Sequence, residues 1–419
     1  MMNYLKRANL MSEEENNDVA KMVSEIIDNI RKDGDVSLKK YEENFGKSNR
    51  EHFKLSKHEI EEQISKLDEE TKILIDRVVN RIRDFSEAQM NSLKPIDQEF
   101  DSGIRMGHKI LPIEKVGAYV PGGRYPLLSS GAMVVCPAKV AGAKKIIACS
   151  PATYEGSIHP ATVYGLIQSG VDEIYAIGGA QAIASMAHGT ETVPNVDIIA
   201  GPGNKFVAEA KKQVFGKVGI DMLAGPSEVI VLADESSNAE LCASDLLAQA
   251  EHDPNARAIL ITTSEENAKN VLSEVSKQLK EFKEDSPVFK AWEKQGEVIV
   301  VENIDELIEA SDEIAGEHIH VHCKNYKKIG DKLKNYGSLF LGENSSVVFS
   351  DKVSGTNHTL PTNKAARFTG GLWVGTYLKF VTFQEISGVG INFLANHAVN
   401  QSRIEGLHGH EMSAQKRLK

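Results

Sequence analysis

Only four cysteines occur in the 419 residues, at positions 136, 149, 242 and 323, and no two share a metal-finger or disulfide-framework spacing. That excludes a disulfide scaffold and a zinc ribbon and fits reduced thiols. Cys136 follows Met133-Val134-Val135 and precedes Pro137, the setting of a buried small hydrophobe. No apolar run reaches the length of a membrane span, because Lys or Gly interrupts each one. The opening Met1-Met2-Asn3-Tyr4-Leu5-Lys6-Arg7 runs into Glu13-Glu14-Glu15 without the apolar centre of a signal peptide, so a cytoplasmic protein is expected. Positive charge is in deficit. A formal net charge of −11 argues against nucleic acid or an anionic membrane as a bulk partner, while leaving room for a small basic pocket. Repeats and low-complexity segments are missing, as is the G-x-G-x-x-G dinucleotide fingerprint.

What is present is a globular composition, 41% hydrophobic and 26% charged, in a chain long enough for two or more domains. Residues 1 to about 100 read as helical. Between Leu55 and Met90 apolar residues recur near the helical period, and Asp33-Gly34-Asp35 breaks an earlier helix. From about residue 110 the pattern changes. Short apolar runs at 116–120, 145–149, 173–177 and 196–200 alternate with helical stretches at 161–168, 181–188 and 205–215. A second series follows at 228–232, 258–262, 298–301, 318–321, 338–341 and 347–349, with a helix over 265–282. Strands alternating with helices predict an α/β fold with parallel sheets in two domains, ending in an α-helical tail from about Gly375.

Chemistry can be organised around Gln249-Ala250-Glu251-His252. Pro254 stops the preceding helix, and Gln249 and His252, three apart, share one helical face. A carboxamide oxygen and an imidazole facing one way make half of a divalent-metal site. The same spacing also describes ordinary surface or core residues, and a metal needs about two more ligands. In parallel sheets ligands bind beyond the carboxyl ends of strands. Three glycine-rich turns fall there: Pro121-Gly122-Gly123, Gly178-Gly179-Ala180-Gln181 and Gly201-Pro202-Gly203-Asn204. The last two lead into helices whose amides favour phosphate, although tight βα turns need glycine in any case. Glu317-His318 pairs an acid with an imidazole, two proton-transfer groups of different pKa. Against that, His318, His320 and His322 alternate along one face of what reads as an edge strand. The polar loop 350–361 is dense in ligand-type residues, and Glu405-Gly406-Leu407-His408-Gly409-His410 adds a carboxylate and two imidazoles on a tail that also fits a solvated helix end.

Seven motifs occur in the order found in histidinol dehydrogenases: Tyr119-Val120-Pro121-Gly122-Gly123, Gly178-Gly179-Ala180-Gln181-Ala182, Gly201-Pro202-Gly203-Asn204, Gly225-Pro226-Ser227-Glu228, Gln249-Ala250-Glu251-His252, Glu317-His318 and Gly355-Thr356-Asn357-His358-Thr359-Leu360-Pro361. The sequence resembles that family over roughly residues 33–410. The resemblance implies two similar, incomplete Rossmann-like domains, one of 15–118 plus 227–374 and one of 119–226, with an N-terminal arm (1–14) and a dimerisation tail (375–419). It also implies a zinc- and NAD-dependent homodimer with a shared active site, oxidising a primary alcohol through a held aldehyde to a carboxylate. Carried over by position, the zinc ligands are Gln249, His252, Asp351 and His410, the last delivered across the dimer. The catalytic pair is Glu317 and His318, the substrate contacts are Ser227, His358 and Glu405, and the NAD contacts are Tyr119, Gln181 and Asn204. A neutral His318 and an ionised Glu317 then imply activity rising with pH through a His-like pKa.

Some positions depart from the family pattern. Gly316 stands where Pro usually precedes the Glu-His pair, and Lys352 where Tyr usually follows the zinc Asp. Gly123-Arg124-Tyr125-Pro126, the stretch 368–375 and the opening Tyr4-Leu5-Lys6-Arg7-Ala8 resemble the sulfopropanediol dehydrogenase branch. Lys352 in the pocket would repel an amine and attract a sulfonate, pointing to 2,3-dihydroxypropane-1-sulfonate or a related anionic diol, while a loop Lys also commonly points to solvent. Ser227 and Glu405 keep L-histidinol open as the alternative. Two other classes compete: a thiol-dependent aldehyde dehydrogenase using Cys136 or Cys242, and a non-enzymatic metal- or nucleotide-binding module.

Overall fold

A computed structural model of the protein describes residues 3–8, 15–122 and 128–418. The motif at 123–126 and most of the arm before residue 15 lie outside the described residues. The strands, in chain order, are β1 (Asn3–Lys6), β2 (Ile96–Asp101), β3 (Ile104–Pro112), β4 (Lys115–Tyr119), β5 (Lys145–Ser150), β6 (Glu173–Ala176) and β7 (Ile198–Ala200). They continue with β8 (Gly219–Ile220), β9 (Glu228–Ala233), β10 (Arg257–Thr262), β11 (Gly296–Val300), β12 (His318–Val321), β13 (Ser338–Leu341) and β14 (Leu378–Ile386).

Two α/β sheets organise the chain, as the alternating pattern predicts. One has the order β6-β5-β4-β7-β8 and is parallel throughout. The other has the order β1-β11-β10-β9-β12-β13 and is parallel except for β1, which runs antiparallel along β11. Both faces of each are covered by helices, so strands such as Glu-Val-Ile-Val-Leu-Ala in β9 are buried at every position and rich in β-branched residues. Residues 221–227 carry the chain from the carboxyl end of β8 to the amino end of β9. At no more than ~3.4 Å per residue, that link keeps those two sheet edges within roughly 27 Å of each other.

The N-terminal segment is helical, and the break at Gly34 is real. Its φ of 52° interrupts the helix Glu15–Tyr41, and an added Cβ would fall 2.3 Å from the Glu191 carboxylate, which accepts from the Asp35 amide at 2.7 Å. The expected partition needs correction, however. The helix Glu15–Tyr41 packs on Gly179–His188 and Lys205–Val214, and Glu69–Asn91 packs on Ser130–Ala141 and Pro160–Ser169. Val23, Ile26 and Ile30 share a core with Ile183, Met186 and Val207. These helices therefore belong with the five-stranded sheet, and a boundary at 118/119 cuts through β4. Periodicity announces that a face is buried, not which sheet buries it.

Two further readings change. Val347–Phe349 is one helical turn rather than a strand, because Ser346 caps it and it runs into the π-helical turn Ser350–Ser354. The C-terminal segment begins with β14, which joins β3 and β2 in a separate three-stranded antiparallel sheet before the helices Gly388–Glu405 and His408–Gln415. Its mixed polar residues on an exposed ribbon mask the period-two alternation. Among the described residues no helix is long and apolar enough to cross a membrane.

A buried ion pair holds the turn after β7. Lys211, 2% exposed, pairs with Asp221 and donates to the Gly201 carbonyl at 2.9 Å, while Asp221 Oδ2 accepts from the Gly201 amide at 2.8 Å. Gly201 has φ 123°, and a Cβ there would meet the Tyr119 carbonyl at 2.0 Å. Lys211→Met strands the Asp221 charge, so urea unfolding should show a loss of about 3–5 kcal/mol. A loss below about 1 kcal/mol would mean that water already screens the pair.

Candidate active site

Glu317 and His318 enter β12, which lies between β9 and β13 and is an interior strand, not an edge. His318, His320 and His322 are accordingly buried. Parallel pairing sets His318 opposite Val229. One residue then holds both candidate catalytic groups through its backbone: the Glu228 amide donates to Glu317 Oε2 at 2.9 Å, and the Glu228 carbonyl lies 2.9 Å from His318 Nδ1. A carbonyl only accepts, so Nδ1 carries the proton and Nε2 presents a lone pair. Among the described residues no group hydrogen-bonds to Nε2. Burial pushes His318 down to about 4, against the opposing charge of Asp351, so the ring is neutral near pH 7. Burial raises Glu317 well above the usual carboxylate range, helped by the charges of Glu228 and Asp351 and opposed by the Glu228 amide. With His318 held low and Glu317 held high, a rise of activity with pH is expected to follow Glu317 rather than a His-like pKa.

This pair sits at the amino ends of its strands, contrary to the expectation that ligand groups gather at carboxyl ends. Gln249 and His252 lie on the same side. The helix Ala239–Ala250 ends with Gln249 in its last turn, so Glu251 caps it and His252 falls just beyond, its amide donating to the Gln249 carbonyl at 3.2 Å. Gln249 is 1% exposed, and among the described residues its Oε1 has no hydrogen-bond partner. His252 Nε2 is 3.9 Å from Asp351 Oδ2, inside the ~4.2 Å that two bonds of about 2.1 Å to one ion can span. A buried, unpartnered carboxamide oxygen, three residues before an imidazole that lies 3.9 Å from a carboxylate, fits a divalent metal in donor chemistry. Asp351 is held from the other sheet: Ser129 donates its hydroxyl proton to the Asp351 carbonyl at 2.7 Å and meets His358 Nε2 at 3.0 Å. With that proton committed, Nε2 of His358 is the donor. Burial lowers the His358 pKa against the charge of Asp351, and nearby Lys352 lowers it further. Ser227 lies immediately before Glu228, its carbonyl accepting from the Arg257 amide at 2.9 Å.

Glu405 and His410 stand apart. Both are exposed on the two C-terminal helices, and among the described contacts Glu405 bonds only to Gln401, while nothing joins either to the residues above. The one group of three close metal-type side chains among the described residues is a different set, Asp245, His320 and His322.

At the carboxyl edge of the five-stranded sheet, Tyr119 ends β4 and its Oη accepts from the Gly179 amide at 3.1 Å. Burial pushes that phenol up to about 12. Gln181 donates through Nε2 to Glu42 Oε1 at 2.8 Å, and Glu42 also accepts from the Gly178 amide at 3.1 Å. Asn204 caps the helix Lys205–Val214, accepting from the Phe206 and Val207 amides at 3.1 and 3.2 Å. Three further residues take part, and the sequence assigned a role to none of them. Glu228 was visible as an acid opening an apolar run, but Ser129 and Glu42 carry no local signal, since each acts on residues more than a hundred positions away.

A family model described as histidinol dehydrogenase matches residues 10–418. The chain belongs to the histidinol dehydrogenase family. It is 42% identical to a histidinol dehydrogenase homolog of Shouchella clausii, over all of this chain and 99% of that one. It is 40% identical to the sulfopropanediol 3-dehydrogenase of Ruegeria pomeroyi, over 99% of this chain and 96% of that one. The crystal structure of histidinol dehydrogenase from Elizabethkingia anophelis superimposes with a TM-score of 0.90 at 33% identity, covering 98% of both chains. As a member of this family the protein is an NAD-dependent dehydrogenase acting on a CH–OH group and then on the aldehyde. The thiol alternative falls with that assignment, and the site agrees: all four cysteines are buried, and burial pushes Cys242 up to about 12 and raises Cys136.

The neutral His318 is directly observable. In an NMR titration of its ring it should stay neutral, with Nδ1 protonated, down to about pH 5. A midpoint near 6.5 would show a solvated ring and remove the argument from burial.

Proposed function

We propose that this enzyme oxidises an anionic primary alcohol, a sulfonated diol such as 2,3-dihydroxypropane-1-sulfonate, to the corresponding carboxylate. The observation that carries the reading is Lys352. It follows Asp351 directly, is exposed, and its charge bears on the neighbouring His358. A cation there attracts a sulfonate and opposes the amine of histidinol. The likeness to the Ruegeria enzyme supports the same choice. Oxidation of L-histidinol is the second reading, favoured by Ser227 and Glu405 standing at the family's substrate positions.

In this reading Gln249, His252 and Asp351 hold one zinc ion per subunit, with His410 supplied across a homodimer. When bound, zinc would supply a Lewis acid for the substrate oxygen, and two NAD taken in turn would supply the acceptors for the two hydrides. His318 Nε2 takes the alcohol proton, since its lone pair faces away from Glu228. Glu317 takes a proton from water in the second half, so that water adds to the held aldehyde. Burial of both groups excludes bulk water and strengthens the fields they act through. Glu317→Gln should therefore spare the first oxidation and depress the second; equal effects on both would make the pair structural. Ser227, His358 and Glu405 position the substrate, and Tyr119, Gln181 and Asn204 line the NAD side.

Specificity is tested by kcat/KM for 2,3-dihydroxypropane-1-sulfonate and L-histidinol in wild type and Lys352→Tyr. Removing a charge-assisted contact should cost the sulfonate about 1–3 kcal/mol in kcat/KM and leave histidinol unharmed or improved. Efficient histidinol turnover without sulfonate oxidation, unchanged by the substitution, would return the enzyme to histidinol. Deleting the residues after Arg403 removes Glu405 and His410; the truncated chain should stay folded by circular dichroism and lose activity. A fully active truncated monomer would contradict the shared site.

A further inference from the structure

Between the strand that carries Glu317-His318 and the helix that carries Gln249 lies a buried polar cluster that none of the assigned roles uses. Asp245 sits one helical turn before Gln249. Its Oδ2 accepts from His320 Nδ1 and from His322 Nε2, both at 2.9 Å, and its Oδ1 accepts from Ser346 Oγ at 2.8 Å. His320 in turn accepts the Val347 amide on Nε2 at 3.1 Å, so both of its nitrogens are committed and its tautomer is fixed. His320 lies two residues beyond His318 on the same face of β12. Ser346 and Val347 open the helical turn that leads into Asp351. One carboxylate thus receives three hydrogen bonds, and its donors sit on the segments that carry Glu317 and His318 and that carry Asp351, while it rides on the helix of Gln249 itself.

We propose that Asp245 is a positioning residue for the active site, fixing the Gln249 turn, the Glu317-His318 strand and the Asp351 turn against one another through His320, His322 and Ser346. The proposal rests on the zinc-dependent reading above. Burial alone would protonate the Asp245 carboxyl, but the His320 and His322 hydrogen bonds hold it well below the usual range, so the hub is built around a full negative charge. Charge-assisted bonds of this kind are short, directional and costly to leave unmade. Among the described residues, Gln249 and Asp351 lack such support of their own: the Gln249 carboxamide oxygen has no partner there, and Asp351 is tied across the domains by its carbonyl. A loosened hub would therefore be felt at the ligands before it was felt in the core.

The test uses full-length Asp245→Asn and the milder Ser346→Ala, with Ser346→Thr as the rescuing control. Zinc affinity by chelator competition, kcat, KM for NAD and thermal midpoint are measured on each. Outer-sphere partners of this type are worth about 10–100-fold in metal affinity or activity. Both variants should lose zinc affinity and kcat on that scale with KM for NAD unchanged, and Ser346→Thr should recover most of the loss. In metal-free wild type, low-field imidazole N–H resonances from His320 and His322 should be present and should move upfield in Asp245→Asn. A lowered thermal midpoint with wild-type zinc affinity and kcat would overturn the proposal, because the cluster would then be only structural. So would a second zinc per chain that is lost in His320→Gln, because the cluster would then itself be a metal site. Failure of the underlying reading shows elsewhere, in a wild type that retains no zinc and reduces no NAD.

Discussion

The backbone of Glu228 is the constraint from which the rest of the site follows. Its amide and carbonyl hold Glu317 and His318 at 2.9 Å each, and both bonds exist because β9 and β12 are neighbours in a parallel register. That pairing fixes which nitrogen of His318 carries the proton. It also places the pair at the amino edge of the six-stranded sheet, where the chain arrives from the other domain. The two sheets meet there through opposite ends. Ser129, at the start of the helix Ser130–Ala141, ties Asp351 and His358 to the domain of the five-stranded sheet, and the link 221–227 joins the carboxyl end of one sheet to the amino end of the other. A site between two such edges can receive an alcohol from one side and a dinucleotide from the other.

The arrangement costs stability locally. Buried polar atoms are nearly always paired, and each exception asks for an explanation. Several of the exceptions in this chain gather at the proposed site: Gln249 Oε1, Glu228 Oε2 and His318 Nε2, with His322 Nδ1 in the cluster beneath and Glu42 Oε2 on the nucleotide side. Glu228 is partly relieved by Arg257, which reaches on to Glu297 at 2.8 Å. Each of these atoms is an acceptor or a base; in the proposed reading, metal and substrate supply the partners of Gln249 Oε1 and His318 Nε2. Strain of this kind persists because the parallel strands around it are buried at every position and over-determine the backbone.

Much of this was legible from residues alone, and the failures are physically instructive. The alternation of short apolar runs with helices announced both parallel sheets, and Gly34 announced its break. Seven ordered motifs pointed to the family, and the resemblance offered Gln249, His252, Asp351, Glu317 and His318 as site candidates. What could not be read was long-range choice. Nothing in the periodicity of 15–91 says that those helices share a core with the five-stranded sheet, and nothing local to Ser129 or Glu42 says which distant groups they hold. Val347-Val348-Phe349 has strand-forming residues, but a serine cap and an exposed outer face make it a helical turn. His320 and His322 were visible only as alternation on a strand; their meaning came from Asp245, on a helix more than seventy residues earlier.

The central claim is that the catalytic pair and the metal ligands are brought to one place by the amino edge of the six-stranded sheet. The most direct measurement is a crystal structure of the zinc-loaded protein with anomalous data collected at the zinc edge. The account predicts one strong peak bounded by Gln249 Oε1, His252 and Asp351 of one subunit, with His410 of a second copy beside it. A peak confined to Asp245, His320 and His322, or none near Gln249, would contradict it.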